Sequence, residues 1–117
     1  MNIAKMIEID DAGSGSLIGG TGIGIYNHKT QEYFFDLIPI HYFQHPSFSE
    51  KKYQDYVIYI IEKAFQQLHF NKKETIYICQ SYIFDKLRKW LTHKGYHCEN
   101  KKIKGPLQNK VETSFNQ

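Results

Sequence analysis

The sequence predicts one α/β domain over residues 1–117, built on a five-stranded mixed sheet. Two short segments near the start alternate apolar with polar or glycine residues, a long central segment carries apolar residues at helical spacing, and a short apolar segment follows. The element order is β-β-β-α-β-α-β-α. Three meander strands followed by α-β-α-β units favour the strand order 3-2-1-4-5, with helices on both faces of the sheet.

The first three strands are predicted at residues 4–10, 21–26 and 32–39, because isoleucines alternate with acids in the first and with glycines in the second. The third is rich in aromatic residues. Gly22 and Gly24 lie in the second strand, and glycines there leave room for something to approach the strand closely.

The segment Ser47-Phe48-Ser49-Glu50 matches the S-x-x-E capping box and predicts the start of a long amphipathic helix that ends near residue 68. Glu50 therefore has two interpretations, a helix cap or a metal ligand. Residues 75–79 form a short apolar strand, typical of one covered on both faces. Ser81 is then positioned to cap a second helix.

Residues 96–103 contain lysines and predict a strand at the edge of the sheet. Gly105-Pro106 is typical of a helix start, and the apolar stripe of this last helix consists of Leu107, Val111 and Phe115. A helix of only three turns covers such a stripe poorly, so we expect it to be exposed and a homodimer to bury it.

The composition indicates a protein that does not enter a membrane. No apolar run approaches the roughly 20 residues that span a bilayer, and acids interrupt the pattern of a signal peptide. We therefore expect a cytoplasmic protein. The two cysteines, Cys79 and Cys98, lie in strand-like segments without a neighbouring cysteine, which favours buried free thiols.

Charge is divided unevenly along the chain. Residues 1–69 hold five lysines and eight acids, whereas residues 70–117 hold ten lysines or arginines and four acids. A basic C-terminal half beside acids suits nucleic acid as a partner, and a solvated basic surface is the alternative.

Asp10 and Asp11 stand at the end of the first strand. Since strands one and four are predicted neighbours, these acids and Gln80-Ser81 should meet at the carboxyl edge of the sheet, where α/β proteins bind ligands. Carboxylates suit Mg²⁺ or Mn²⁺, whereas side-chain capping of the following turn is the alternative. Adjacent strand residues point to opposite faces, so we expect only one of the two to be functional.

Three features together resemble the ribonuclease H-like superfamily. The element order matches, Asp11-Ala12-Gly13 resembles the D-x-G that begins RuvC-type domains, and Gly22-Ile23-Gly24-Ile25 resembles the glycine-bearing second strand of ribonuclease H. The resemblance implies a nuclease in which carboxylates hold two Mg²⁺ ions that hydrolyse phosphodiesters of DNA or RNA.

Carried over by position, the resemblance makes Asp11 or Asp10 the bridging metal ligand and catalytic acid, and Glu112 the acid of the last helix. A surface acid is the alternative for Glu112. The strand-four position falls on Gln80 or Ser81, which departs from the superfamily because neither is an acid. A non-catalytic module that binds nucleic acid or protein is therefore the second interpretation.

The predicted substrate contacts lie in two segments. Gly13 and Ser14 begin a glycine-rich turn whose backbone N–H groups are suited to phosphate. Lys101, Lys102 and Lys104 are placed to contact a phosphate backbone, although lysines that protect an edge strand give the same pattern.

Overall fold

The computed structural model describes residues 6–13, 20–69 and 71–116. Its single sheet has the order β3-β2-β1-β4-β5, which confirms the predicted α/β topology. β1 pairs antiparallel with β2 and parallel with β4, so it lies at the centre. β2 pairs antiparallel with β3, and β4 pairs parallel with β5. The strands are β1 (Ile7–Ala12), β2 (Thr21–Asn27), β3 (Glu32–Ile38), β4 (Ile76–Ile78) and β5 (Cys98–Asn100).

Helices cover both faces of the sheet, as predicted. The described residues form the α-helices α1 (Lys52–Gln67), α2 (Asp85–His93) and α3 (Pro106–Phe115), and short 3-10 helices occupy Ile40–Phe43 and Tyr82–Phe84. α1 and α2 share one apolar core with the sheet, while α3 belongs to a second core on the opposite face. Among the described residues, no helix has the length and apolarity needed to cross a membrane.

The larger core is built on strand isoleucines that face α1 and α2. Burying one such side chain contributes about 1.5–3 kcal/mol, so this face supplies most of the apolar stabilisation of the sheet. The isoleucines of the three central strands that are at most 1% exposed are Ile7, Ile9, Ile23, Ile25, Ile76 and Ile78.

The opposite face is where the glycines of β2 matter. A Cβ atom added to Gly24 would meet the Val111 side chain of α3, and one added to Gly22 would meet the Phe35 and Phe115 rings. The close approach predicted for this strand is therefore made by α3. Leu107 and Val111 are fully buried by it. The expectation that the α3 stripe is exposed is wrong, and the homodimer prediction loses the surface on which it depended.

The predicted capping box does not form. α1 begins at Lys52, and Lys51, in a left-handed conformation with φ of 57°, precedes it without a side-chain cap. The backbone carbonyl of Ser47 accepts the N–H of Lys52 at 3.1 Å, while the Ser49 hydroxyl donates to the carbonyl of Pro46 at 2.9 Å. Consecutive turns thus replace the expected first helical turn. Glu50 is exposed, and its carboxylate lies 3.6 Å from the Lys52 ammonium.

The two central parallel strands end at different points. β4 stops at Ile78, which pairs with Ile9 of β1, whereas β1 continues through both aspartates to Ala12. The first strand therefore ends two residues later than predicted. β1 extends beyond β4 at this edge, and a gap opens on the β4 side of the sheet.

Candidate functional site

An open cleft of about 440 Å³ lies in this gap. Three acids predicted from the sequence, Asp10, Asp11 and Glu112, line it together. β1 supplies the two aspartates and α3 supplies the glutamate. Gln80 and Ser81, from the loop that follows β4, form another part of the wall, as their predicted place at this edge requires.

Both aspartates of β1 reach the cleft, although neighbouring strand residues start toward opposite faces. Ligand atoms of Asp10, Asp11 and Cys79 all lie within 4.8 Å of one another. Because β4 has ended, no strand separates the two carboxylates on that side. Both carboxylates therefore reach the cleft, and the expectation that only one of them is functional stays a prediction.

Asp10 is the most buried of the three acids, at 8% exposure. Burial raises the pKa of its carboxyl group, and the charges of Asp11 and Glu112 raise it further; the Asp11 backbone N–H and the nearby Cys79 thiol act in the opposite direction. Within residues 6–13, 20–69 and 71–116, no salt bridge involves Asp10, Asp11 or Glu112. This acid cluster is thus not neutralised by ion pairs in the described part of the protein.

Cys79 is a member of the site that the sequence interpretation missed. Its thiol donates a hydrogen bond to Asp11 Oδ1 at 3.0 Å. Burial and the neighbouring carboxylates raise the pKa of the thiol. A signal lay in the predicted pairing of strands one and four, because parallel pairing of Ile9 with Ile78 places the residue that follows β4 beside the aspartates.

Arg88 of α2 holds the loop that carries the cleft wall. Its Nη2 donates to the Cys79 carbonyl at 2.6 Å and its Nη1 to the Ser81 carbonyl at 3.4 Å. Its Nε donates to Asn100 Oδ1 at 2.7 Å, which ties the loop to β5. Charged donors make strong hydrogen bonds, so the loop is fixed from behind. Arg88 was not found from the sequence, since no local motif marks it.

The three lysines predicted to contact phosphate lie in different places. Lys102 lines the cleft, whereas Lys104 is exposed and does not. The Lys101 ammonium lies 2.7 Å from the carboxylate of the buried residue Glu8. Lys101 is therefore engaged in an ion pair with Glu8. Of the three lysines, Lys102 is the one that lies beside the acids of the cleft.

Of the two residues predicted from the glycine-rich turn, Gly13 is described by the structure and Ser14 is not. Gly13 directly follows β1 with φ of +82°, and a Cβ there would collide with the ring of Phe115 in α3. The absence of a side chain at Gly13 thus lets Phe115 of α3 pack against it, next to the cleft. Ser14 lies outside the described residues.

The donor set of the cleft fits a small, hard divalent cation. Asp10 and Asp11 offer carboxylate oxygens within 4.8 Å of each other, and Glu112 and Gln80 bring further oxygens to the same cleft; Mg²⁺ and Mn²⁺ accept ligands of these kinds. The neutral thiol of Cys79 is a weaker match for such an ion. No protein-family model and no curated protein sequence matches the chain. Function is therefore inferred from the chemistry of the cleft.

Proposed function

We propose that this protein is a metal-dependent nuclease that hydrolyses phosphodiesters of DNA or RNA. The observation that carries the proposal is Asp10, a buried acid that adjoins two other acids and forms no salt bridge with any described residue. Buried charges in proteins are ordinarily paired or bound to metal. A divalent cation is the partner that such a cluster lacks.

Asp10, Asp11 and Glu112 are the residues that would hold Mg²⁺ or Mn²⁺. When bound, the ion would polarise a phosphoryl oxygen and lower the pKa of a coordinated water. These ligands come from two elements. The aspartates are carried by β1, which is paired within the sheet, and the glutamate is carried by α3, which packs on one face of the sheet. Ligands on regular elements hold their geometry better than ligands on loops.

Other residues of the cleft suit an anionic polymer. Lys102 provides a positive charge beside the acids, and Gln108 and Ser81 provide hydrogen-bonding groups. The acids alone would repel a phosphodiester, so a cation in the cleft is needed for substrate to bind there. The resemblance to the ribonuclease H-like superfamily, in element order and at Asp11 and Gly13, agrees with this proposal.

The proposal is tested by incubating the purified protein with single-stranded, double-stranded, hybrid and branched nucleic acids, with Mg²⁺, Mn²⁺ or EDTA. We expect cleavage that requires the metal and that Asp11→Asn abolishes. The matched control is Asp55→Asn, because Asp55 is an exposed acid of α1 that pairs with Lys86, outside the cleft. Cleavage that persists in Asp11→Asn, or no cleavage of any substrate, would contradict the proposal.

A non-catalytic module that binds nucleic acid is the second candidate. The observation that favours it is the neutral loop after β4, where Cys79, Gln80 and Ser81 supply no carboxylate to the cleft. In that case the protein binds oligonucleotides at low salt with metal present and leaves them intact. A gel-shift measurement beside the cleavage assay separates the two functions.

A further inference from the structure

We propose that the cleft takes single-stranded nucleic acid, and that bases of the strand stack on the exposed rings of Tyr82 and Phe48. The inference rests on the proposed function of the cleft and specifies the substrate class of the same site. It uses four aromatic residues that do not line the cleft themselves. We call Phe43, Phe48, Tyr53 and Tyr82 the aromatic patch.

The aromatic patch is built around one buried ring. Tyr53 of α1 is 3% exposed, and the ring of Phe48 stacks on it with a centroid distance of 5.4 Å and an interplanar angle of 18°. Tyr82 meets the same ring edge-on at 5.9 Å, and Phe43 stacks on it at 5.1 Å. Phe48 and Tyr82 nevertheless remain 46% and 51% exposed. These two rings are therefore fixed by packing and still accessible to a ligand.

Tyr82 joins the aromatic patch to the cleft. It directly follows Ser81, which lines the cleft, and it precedes the fully buried Ile83. Ser81 Oγ accepts the N–H of Ile83 at 3.4 Å, at the start of the short 3-10 helix that carries Tyr82. Burial raises the pKa of the Tyr82 hydroxyl, and the charges of Tyr53 and Asp11 raise it further, so the hydroxyl lies near a cleft acid. A strand bound in the cleft can therefore continue onto the ring of Tyr82.

A buried glutamine holds the aromatic patch in place. Gln54 is 2% exposed, its Nε2 donates to the Tyr53 hydroxyl at 3.4 Å, and its Oε1 accepts the N–H of Lys86 at 3.0 Å. The central ring of the patch is thus tied to both α1 and the first turn of α2. Aromatic side chains that are fixed before binding lose little conformational freedom when a ligand arrives, which favours affinity.

The extent of the exposed rings favours a nucleobase over a protein as the ligand. A specific protein interface buries about 800 Å² on each partner, of which two half-exposed rings supply a small part. A base is planar and stacks on a single ring with about 1–3 kcal/mol. Lys51, which is exposed and forms no salt bridge with any described residue, follows in the turn that carries Phe48. Rings with a cation beside them match the bases and phosphates of a strand.

A duplex cannot use such rings. Paired bases stack on one another and present only their edges to a protein, whereas an unpaired base can turn its face toward an aromatic side chain. Exposed rings beside the cleft therefore favour single strands over duplexes. Because every base has such a face, we expect little sequence preference.

The test compares a fluorescein-labelled single strand of mixed sequence with the duplex that it forms with its complement. Affinities for the purified protein are measured by fluorescence anisotropy at low salt, in EDTA so that metal-dependent cleavage does not occur. The cleft acids are the same in every protein compared, so differences between variants report the rings. We expect the wild type to prefer the single strand. Tyr82→Ala should weaken single-strand binding about tenfold and Phe48→Ala about fivefold, because each removes a stacking contact, with duplex binding unchanged.

Two further variants of Tyr82 separate loss of the ring from loss of the fold. Tyr82→Phe keeps the ring and should bind as the wild type does. Tyr82→Leu keeps an apolar side chain against Tyr53 but has no aromatic face, so it should fold, as judged by circular dichroism, and should lose affinity as Tyr82→Ala does. Tyr59→Ala is the matched control and should leave both affinities unchanged, because Tyr59 is 50% exposed on α1 and its ring contacts Tyr56 and Lys63.

The outcomes separate this inference from the proposed function. If Tyr82→Ala and Tyr82→Leu bind the single strand as tightly as the wild type, or if the wild type prefers the duplex, the inference is wrong, and metal-dependent cleavage would still support the nuclease. Absence of cleavage together with single-strand binding that depends on Tyr82 would overturn the nuclease and keep the single-strand site. Binding of neither probe would overturn the inference and favour a protein as the partner of the aromatic patch.

Discussion

Glu8 and Asp10 stand two residues apart on β1 and face the same side of the sheet, yet their surroundings differ. Both are buried, at 2% and 8% exposure. Glu8 accepts from His28 Nε2 at 2.6 Å and from Lys101 Nζ at 2.7 Å. Asp10 has acids as its charged neighbours, and burial together with those acids raises its pKa.

The difference separates a structural acid from one available to a ligand. Glu8 lies opposite Tyr26 and Tyr77 in the paired part of the sheet, where the fold supplies its cations. Asp10 lies beyond the end of β4, where the sheet opens to the cleft. Among the described residues Glu8 has two cationic partners and Asp10 has none, so Asp10 is the buried carboxylate that we propose to bind a ligand.

The largest expected effect is on stability, from Glu8→Gln. The substitution leaves the Lys101 ammonium and His28 without their carboxylate, and breaking a buried ion pair from one side costs about 3 kcal/mol. Urea denaturation measures the loss. Mn²⁺ affinity at the cleft should stay unchanged in the folded variant; a loss of affinity equal to that in Asp10→Asn would break the comparison.

Asp10→Asn should have the opposite effect: it should weaken Mn²⁺ binding, measured by titration of the purified protein. Removing a direct carboxylate ligand is expected to weaken binding by more than about 100-fold, because even residues behind the ligands change affinity 10–100-fold. Asp36→Asn is a control. Asp36 lies on β3 outside the cleft, and its carboxylate is 2.6 Å from the Lys63 ammonium of α1. Unaltered Mn²⁺ affinity in Asp10→Asn would show that the acid is structural.

Asp10→Asn should also stabilise the protein without metal, by roughly 1 kcal/mol near neutral pH. The pKa of Asp10 is raised above its ordinary value of 3.8, so the folded state binds more protons than the unfolded state just above that pH. The wild type therefore loses stability as pH rises from about 3.8 to the folded pKa. The variant should lack this loss, and thermal melts across acidic pH in EDTA measure the difference.

The smallest expected effect distinguishes two adjacent lysines. Lys102→Ala should lower oligonucleotide affinity about threefold at low salt, because one phosphate contact is lost. Lys101→Ala should instead lower the free energy of unfolding, because the Lys101 ammonium forms an ion pair with Glu8. Lys104→Ala is the control for general charge. Equal effects of Lys102→Ala and Lys104→Ala on binding would remove Lys102 from the substrate site.

The topology was accessible from the sequence because it follows from local patterns and general rules. Alternating isoleucines locate β1 and β2, the apolar run locates β4, and the order expected for a meander followed by α-β-α-β units places β4 beside β1. That placement brings Asp10 and Asp11 to the carboxyl edge. Part of the candidate site was therefore predictable before any coordinates.

The remaining features depend on contacts between distant residues. Lys101 meets Glu8 across 93 positions of the chain, and Cys79 meets Asp11 across 68, so no local pattern marks either pair. The S-x-x-E motif failed for a related reason. The turns that precede α1 carry their own backbone hydrogen bonds, and these override the local preference of Ser47 for a helix cap.

The glycines of β2 affect the position of the cleft acids without lining the cleft themselves. Gly24 has no side chain where Val111 of α3 rests, so the helix lies close to the strand that pairs with Asp10. Glu112 follows Val111 on the same helix and is carried to its position by that contact. The smallest residues of the sheet thus govern how far the longest acid of the cleft stands from its neighbours, and an added methyl group there would alter the spacing of the acids without touching any of them.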